Sequence, residues 1–317
     1  MPRAAAVDCG TNSVRLLVTD LDPVAGTQTD LDRQMRVVRL GEGVDATGRL
    51  SEAALARTFA AVEDYARTVA DLGAEQVRFV ATSASRDAEN AADFVAGIRA
   101  RLGVEPEVVA GGEEAELSFL GATRELAGVV PGPFCVVDIG GGSTEVVVGD
   151  VVDGVPTVQA SRSVDVGCVR MTERHLLADP PTEEQVVAAR ADVEAALDEV
   201  ERTVDLSGVR TVVGLAGSVT TVGAEALGLT AYEPERIHGS VHDVDDLLAA
   251  CERLLRAPRS ERAARGFMHP GRVDVIGAGA LVWQQVLERV RLRSGVAQAR
   301  VSEHDILDGI AWSTLRP

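Results

Sequence analysis

The stretch D-C-G-T-N-S at residues 8–13 and its echo D-I-G-G-G-S at residues 138–143 decide the fold. Each follows a short apolar run, residues 4–7 in one case and 134–137 in the other. Each leads into a second β-rich run, residues 14–21 and 145–148. The pattern is strand, acidic residue, glycine-rich turn, strand, written twice. An Asp at a strand end can hold a metal ion, and glycines let backbone N–H groups close on an anion without Cβ clashes. Two such turns facing each other would clamp a phosphate from both sides. The chain therefore reads as phosphate chemistry in a cleft between two related α/β halves.

Outward from these turns the same order repeats. Strands are expected at 4–7, 14–21 and 35–40, then a helix after Ser51, a strand at 77–81, a helix at 88–102, a strand at 107–110 and a helix at 113–121. The apolar spacing of Leu55, Phe59, Val62, Ala66 and Val69 puts one face of the first helix on a core. Turn residues at 128–133 read as a junction, giving domains 1–128 and 129–317. The second half restarts with strands at 134–137, 145–148 and 157–163. A T-x-x-Q capping box at Thr182 opens a long helix, a strand at 211–215 runs into the turn 214–218, and helices follow near 242–257, 273–290 and 303–314. An internal duplication accounts for this order most simply.

Composition narrows the chemistry. The 317 residues are 46% hydrophobic but only 3% aromatic, so the cores must be built from Ala, Val and Leu. All 31 basic side chains are Arg. Without a lysine, a Walker-A phosphate loop and Schiff-base catalysis are both excluded. A net charge of −18 opposes nucleic-acid binding, and no apolar run is long enough to span a bilayer, so neither a nucleic-acid nor a membrane partner is expected. Cys9, Cys135, Cys168 and Cys251 are scattered, which argues against a zinc site or a disulfide framework. With no signal peptide legible after Met1, the expected location is the cytoplasm.

The motifs, taken in order, are specific. D-C-G-T-N-S-V-R at 8–15, A-T-S-A-S-R-D-A at 81–88, A-G-G-E-E-A-E-L at 110–117 and V-D-I-G-G-G-S-T-E at 137–145 resemble successive motifs of the exopolyphosphatase/guanosine pentaphosphate phosphohydrolase (Ppx/GppA) family. G-C-V-R at 167–170, G-L-A-G-S at 214–218, R-V-D-V-I-G-A-G at 272–279 and V-S-E-H-D-I-L-D-G at 301–309 extend the resemblance almost end to end. It implies the two ribonuclease-H-like domains of the actin, Hsp70 and sugar-kinase superfamily, with an active site in the interdomain cleft.

Candidate site residues follow. Position alone reads Glu113 and Glu114 as helix N-terminal acids favoured by the macrodipole. The resemblance places the catalytic base on Glu114 and leaves Glu113 as a supporting acid. Asp138 and Glu145 flank the second turn and are the main Mg²⁺ candidates, with Asp8 as a third. A buried acid at a strand end is costly unless paired or bound to metal, and Mg²⁺ takes a few carboxylates plus water. Phosphate contacts are expected from Gly10, Thr11, Asn12 and Ser13, from Gly140, Gly141, Gly142 and Ser143, and from Gly217 and Ser218. Arg15 and Arg86 supply guanidinium groups. In the third turn Ser218 stands where the family commonly has Thr; the hydroxyl is kept. Arg253, Arg256, Arg259, Arg262, Arg265 and Arg272 either line a track for a polyanion or form a solvated face paired with Glu252 and Glu261. His175, His238, His242, His269 and His304 show no metal spacing and receive no role, and Cys168 reads as structural, its neighbouring amides near phosphate.

The expected activity is hydrolysis of terminal phosphate from inorganic polyphosphate, with Mg²⁺ as cofactor. Longer family members carry an additional C-terminal helical domain beyond the equivalent of residue 317, so short polymers, or binding shared across a homodimer, are expected. Hydrolysis of guanosine pentaphosphate, the alarmone of the stringent response, uses the same parts. A polyphosphate/ATP phosphotransferase and a non-catalytic alarmone-binding protein are the further alternatives; the Glu113–Glu114 pair argues against the transferase.

Overall fold

The computed structural model describes residues 1–315. The chain forms two compact units, the first made of Met1–Gly121 with the segment that starts at Ile306, the second of Ala122–Asp305.

The first unit contains β1 (Arg3–Cys9), β2 (Ser13–Asp22), β3 (Thr27–Val37), β4 (Gln76–Ala81) and β5 (Glu107–Val108), in the order β3-β2-β1-β4-β5. β1 pairs antiparallel with β2 and parallel with β4. Its small residues are buried on both faces, as a central strand requires. Ala5, Val7 and Cys9 point to a core shared with Val62, Tyr65, Phe94 and Ile98 of two covering helices, Glu52–Leu72 and Ala91–Leu102. Ala6 points to the opposite face, where Leu117 of the helix Gly111–Thr123 and Ile306, Leu307, Ile310 and Ala311 of the helix Ile306–Ser313 close a second core. Gly309 permits this: a Cβ there would lie 1.9 Å from the Leu117 carbonyl oxygen.

The second unit contains β6 (Phe134–Ile139), β7 (Thr144–Val152), β8 (Val155–Val164), β9 (Thr211–Leu215), β10 (Val241–Asp243) and β11 (Gln298–Val301). Their order is β10-β11-β9-β6-β7-β8. Read from β8 to β11, this is the order of the first unit, with the same antiparallel and parallel pairings and with β10 added at the edge. The duplication is therefore topological as well as sequential, and each unit is ribonuclease-H-like. Thr182 forms the expected capping box with Gln185, and Ser51 caps its helix by accepting from the Ala54 amide.

Several boundaries move. The units divide at Gly121/Ala122 rather than after residue 128, and the last helix belongs with the first unit because its apolar face completes that core. The third strand is Thr27–Val37, not 35–40. It is a polar edge strand and has no apolar signal to announce it, while Val38 and Leu40 lie buried beyond its end. β11 and a helix starting at Ile306 replace the single helix expected at 303–314.

Candidate active site

The first anion turn joins β1 to β2. Its ends are closed by the Gly10 amide donating to the Ser13 carbonyl at 2.9 Å. The second turn, between β6 and β7, is closed by the equivalent bond from Gly140 to Ser143 at 3.0 Å. Among the described residues no acceptor takes the amides of Thr11, Asn12, Gly141 or Gly142. Successive unsatisfied backbone donors of this kind make an anion-binding concavity. The Thr11 hydroxyl bonds the buried Ser83 hydroxyl at 2.8 Å, which ties the first turn to the strand end carrying Arg86.

The strand register places an acid at the same point in both units. Asp8 stands opposite Arg15 across β1 and β2; Asp138 stands opposite Glu145 across β6 and β7. In the first unit Oδ2 of Asp8 accepts from Nε of Arg15 at 2.9 Å and from Nη2 at 2.7 Å. The burial of Asp8 is thus answered within the chain by a guanidinium, and Arg15, expected to face phosphate, spends two nitrogens on that carboxylate. In the second unit two carboxylates face each other, only 6% and 1% exposed. The Ser163 hydroxyl donates to Oε1 of Glu145 at 2.6 Å. Like charges directly opposite across an antiparallel pair are unfavourable, and a hard divalent cation would offset them. Asp138 and Glu145 therefore fit a hard cation such as Mg²⁺.

The structure separates the adjacent glutamates. Glu113 points outward and pairs with Arg78 at 2.7 Å, and Arg78 also holds Glu107 at 2.6 Å. Glu114, one residue on, is 7% exposed. Nη1 of Arg86 donates to Oε2 of Glu114 at 3.2 Å and to the Val109 carbonyl at 2.9 Å. Arg86 therefore orients the expected base rather than standing clear of it. Helical periodicity explains the split: neighbouring residues on a helix project about 100° apart.

The third turn is a strand-to-helix junction. Ala216 takes φ 64°, a left-handed conformation costly for a residue with a Cβ, and the helix Ala216–Ala226 begins there. A Cβ on Gly217 would lie 2.1 Å from Cζ of Arg272, so the guanidinium rests against that glycine. Among the described residues the Arg272 side chain makes no hydrogen bond or ion pair. A cation against a helix N-terminus suits an anion. From sequence alone Arg272 groups with the other arginines; its place in R-V-D-V-I-G-A-G is the signal that sets it apart. The Ser218 side chain packs against Gly279, where a Cβ would lie 2.2 Å from its Oγ and 3.2 Å from Cβ of Cys168. Burial pushes the Cys168 thiol up, in keeping with a structural role.

Four of the other five arginines of that tract are paired with acids. Arg253 pairs with Glu225 at 2.8 Å, Arg265 pairs with the same carboxylate, Arg256 holds Glu183 at 2.7 Å and Glu252 at 2.8 Å, and Arg262 holds Asp179 at 3.2 Å. The amides of Val169 and Arg170 beside Cys168, expected near phosphate, donate to the Gly141 carbonyl, and that of Cys168 donates to Gly140; all three are spent on the turn itself. Two histidines do meet: His238 Nε2 lies 3.3 Å and His304 Nδ1 lies 3.2 Å from the two carboxylate oxygens of Glu125. Nδ1 of His238 accepts the Glu303 amide at 3.2 Å, so its Nε2 carries the proton. A metal-ligating His donates its second nitrogen instead. The group reads as a hydrogen-bonded clamp, not a metal site.

Two ribonuclease-H-like units, each with an anion turn at its first hairpin and one with opposed carboxylates, define a phosphate-handling protein of the actin-like fold. The chain belongs to the Ppx/GppA phosphatase family, whose pattern matches residues 19–314. It is 50% identical over 320 aligned positions to Exopolyphosphatase 2 of Mycobacterium tuberculosis, covering 99% of this chain and 98% of that one. The crystal structure of an exopolyphosphatase-like protein superposes with a TM-score of 0.93 at 43% identity, covering 98% of each chain. The Aquifex aeolicus Ppx/GppA family member superposes with a TM-score of 0.79 at 30% identity, covering 98% of this chain and 96% of that one. No helix among the described residues is long and apolar enough to cross a membrane.

Proposed function

We propose that the chain is an exopolyphosphatase that hydrolyses the terminal phosphoanhydride bond of inorganic polyphosphate, with Glu114 as general base. The observation that carries this reading is the division of labour between adjacent acids. Glu113 is committed to Arg78 outside, whereas Glu114 is buried and oriented by Arg86. A carboxylate held in that way can take one proton from a water. The water oxygen bonds to the terminal phosphorus, the bond to the bridging oxygen breaks, and the shortened polymer leaves with that oxygen. A general base of this type contributes about 10²–10⁴ in rate.

The amides of Thr11 and Asn12 in the first unit, and those of Gly141 and Gly142 in the second, are each suited to donate to phosphate oxygens, with Ser13, Ser143, Gly217, Ser218 and Arg272 as further donors. Most of the catalytic effect in phosphoryl transfer comes from such positioning and charge stabilisation. Asp138 and Glu145 would hold Mg²⁺, and the chemistry supplied there is neutralisation of phosphate oxygens. The reading requires the groups of both units to act on one substrate. A double-mutant cycle between Glu114→Gln and Ser143→Ala tests that: strong non-additivity in kcat/KM is the expected result, and simple additivity counts against it.

Guanosine pentaphosphate is the second substrate to examine. A relative from Aeromonas salmonicida, 29% identical over 92% of this chain and 56% of its own length, is named guanosine-5'-triphosphate,3'-diphosphate pyrophosphatase. Side-by-side kcat/KM values for polyphosphate and guanosine pentaphosphate decide between them. Turnover without ATP consumption separates hydrolysis from phosphotransfer, and turnover itself separates an enzyme from an alarmone-binding protein.

A further inference from the structure

The two anion turns share a feature outside the turns themselves. After the third strand of each unit, the chain folds back and gives three amides to the turn's carbonyls. In the first unit the Gly41 amide donates to Thr11 at 2.8 Å, and those of Val38 and Arg39 donate to Asn12 at 3.0 and 2.8 Å. In the second unit the Cys168 amide donates to Gly140 at 2.9 Å, and those of Val169 and Arg170 donate to Gly141 at 2.8 and 3.1 Å.

A trans peptide points its C=O and the following N–H in opposite directions. Fixing the Thr11 and Asn12 carbonyls therefore fixes the amides of Asn12 and Ser13. Fixing the Gly140 and Gly141 carbonyls likewise fixes those of Gly141 and Gly142. A rigid donor array bears most of its orientation cost before substrate arrives.

Both contacts need a glycine at closest approach. A Cβ on Gly41 would lie 2.3 Å from Cγ2 of Thr11, and one on Gly167 would lie 2.5 Å from the Gly141 carbonyl group. In the first unit Arg39 also takes φ 51° to deliver its amide. A strained non-glycine residue persists only where its surroundings hold it there.

We propose that the segments 38–41 and 167–170 are braces for the phosphate reaction, gripping positions one residue apart in the two turns, with Gly41 and Gly167 as positioning residues that keep the Asn12, Gly141 and Gly142 amides aimed at the substrate. This rests on the phosphate reading of the turns. Neither glycine touches substrate. Each acts through the turn it supports.

The test uses the full-length chain and tripolyphosphate. Gly41→Ala and Gly167→Ala are compared with Gly208→Ala, where an added Cβ meets nothing within 4 Å. Binding is measured by calorimetry on the Mg²⁺-loaded protein, KM and kcat by phosphate release, and folding by circular dichroism and melting. The brace predicts that Gly41→Ala and Gly167→Ala, still folded, bind tripolyphosphate and turn it over less well by on the order of tenfold to a hundredfold, with KM raised. Gly208→Ala keeps the parent values. Arg39→Gly, which retains the donating amide and relieves the strain, keeps the parent KM and stands as the check should a Gly→Ala variant not fold. Parent KM and binding in folded Gly41→Ala and Gly167→Ala overturns the brace while leaving the substrate reading intact. A raised KM in Arg39→Gly also overturns it, by assigning the effect to a side chain. Absence of tripolyphosphate binding by the unmodified protein removes the substrate reading and the brace together.

Discussion

Asp138 faces Glu145 directly across β6 and β7, at the point where the first unit has Asp8 facing Arg15. The duplicated hairpin has thus been given two electrostatic solutions. One copy sets its acid against a guanidinium; the other sets acid against acid.

That difference predicts that any dependence on Mg²⁺ runs through the second unit. Glu145→Gln is expected to raise the Mg²⁺ concentration needed for half-maximal phosphate release and to shrink the thermal stabilisation that Mg²⁺ gives. A ligand at a hundred times its Kd stabilises a fold by about 2.7 kcal/mol, so melting with and without Mg²⁺ reads the change directly. An unchanged Mg²⁺ titration in this variant contradicts the assignment.

Adjacent glutamates should behave differently. Glu113 lies on the surface with Arg78, so Glu113→Gln should leave kcat within about twofold and cost about 0–1 kcal/mol, as for other exposed pairs. Chemical denaturation and phosphate-release assays check both numbers. A large loss of turnover would restore Glu113 to the supporting role expected from sequence.

The clamp at Glu125 gives a pH signature. Hydrogen bonds from His238 and then His304 hold its carboxyl well below the ordinary value of 4.5. The unfolded chain therefore takes up this proton first as the pH falls. The stabilisation is complete above the ordinary value and is lost progressively below it. Melting temperatures between about pH 5 and about pH 3 should fall less steeply for Glu125→Gln than for the parent. Because the carboxylate is half-exposed, the difference should stay under about 1 kcal/mol.

Cys168 should be chemically quiet. Burial raises its thiol above the ordinary range, so little thiolate is present near neutrality. Iodoacetamide treatment of the folded protein should leave phosphate release intact, with mass spectrometry reporting an unmodified Cys168.

Much of this was legible in the sequence because its signals were local. The two D-x-G-x-x-S turns, the strands flanking them and the Thr182 capping box announce themselves within a few residues. Asp138, Glu145 and Glu114 stand at positions where a strand or helix end fixes the direction of the side chain. What escaped depends on contacts distant in sequence. The polar edge strand Thr27–Val37 is specified by pairing with β2 rather than by its own residues. The helix Ile306–Ser313 joins the first unit through an apolar face whose partners lie almost 300 residues away, Ala6 and Leu17 among them. Arg272 differs from Arg253 and Arg256 only through what it meets: Gly217 in its case, acids in theirs.

The central claim is that Glu114 deprotonates the attacking water. Phosphate release from polyphosphate in the presence of Mg²⁺, comparing the parent with Glu114→Gln while binding is measured separately, tests it most directly. The account predicts a fall in kcat of about 10²–10⁴ with polyphosphate binding retained. A variant that turns over at the parent rate, or one that loses binding and turnover in equal proportion, would contradict it.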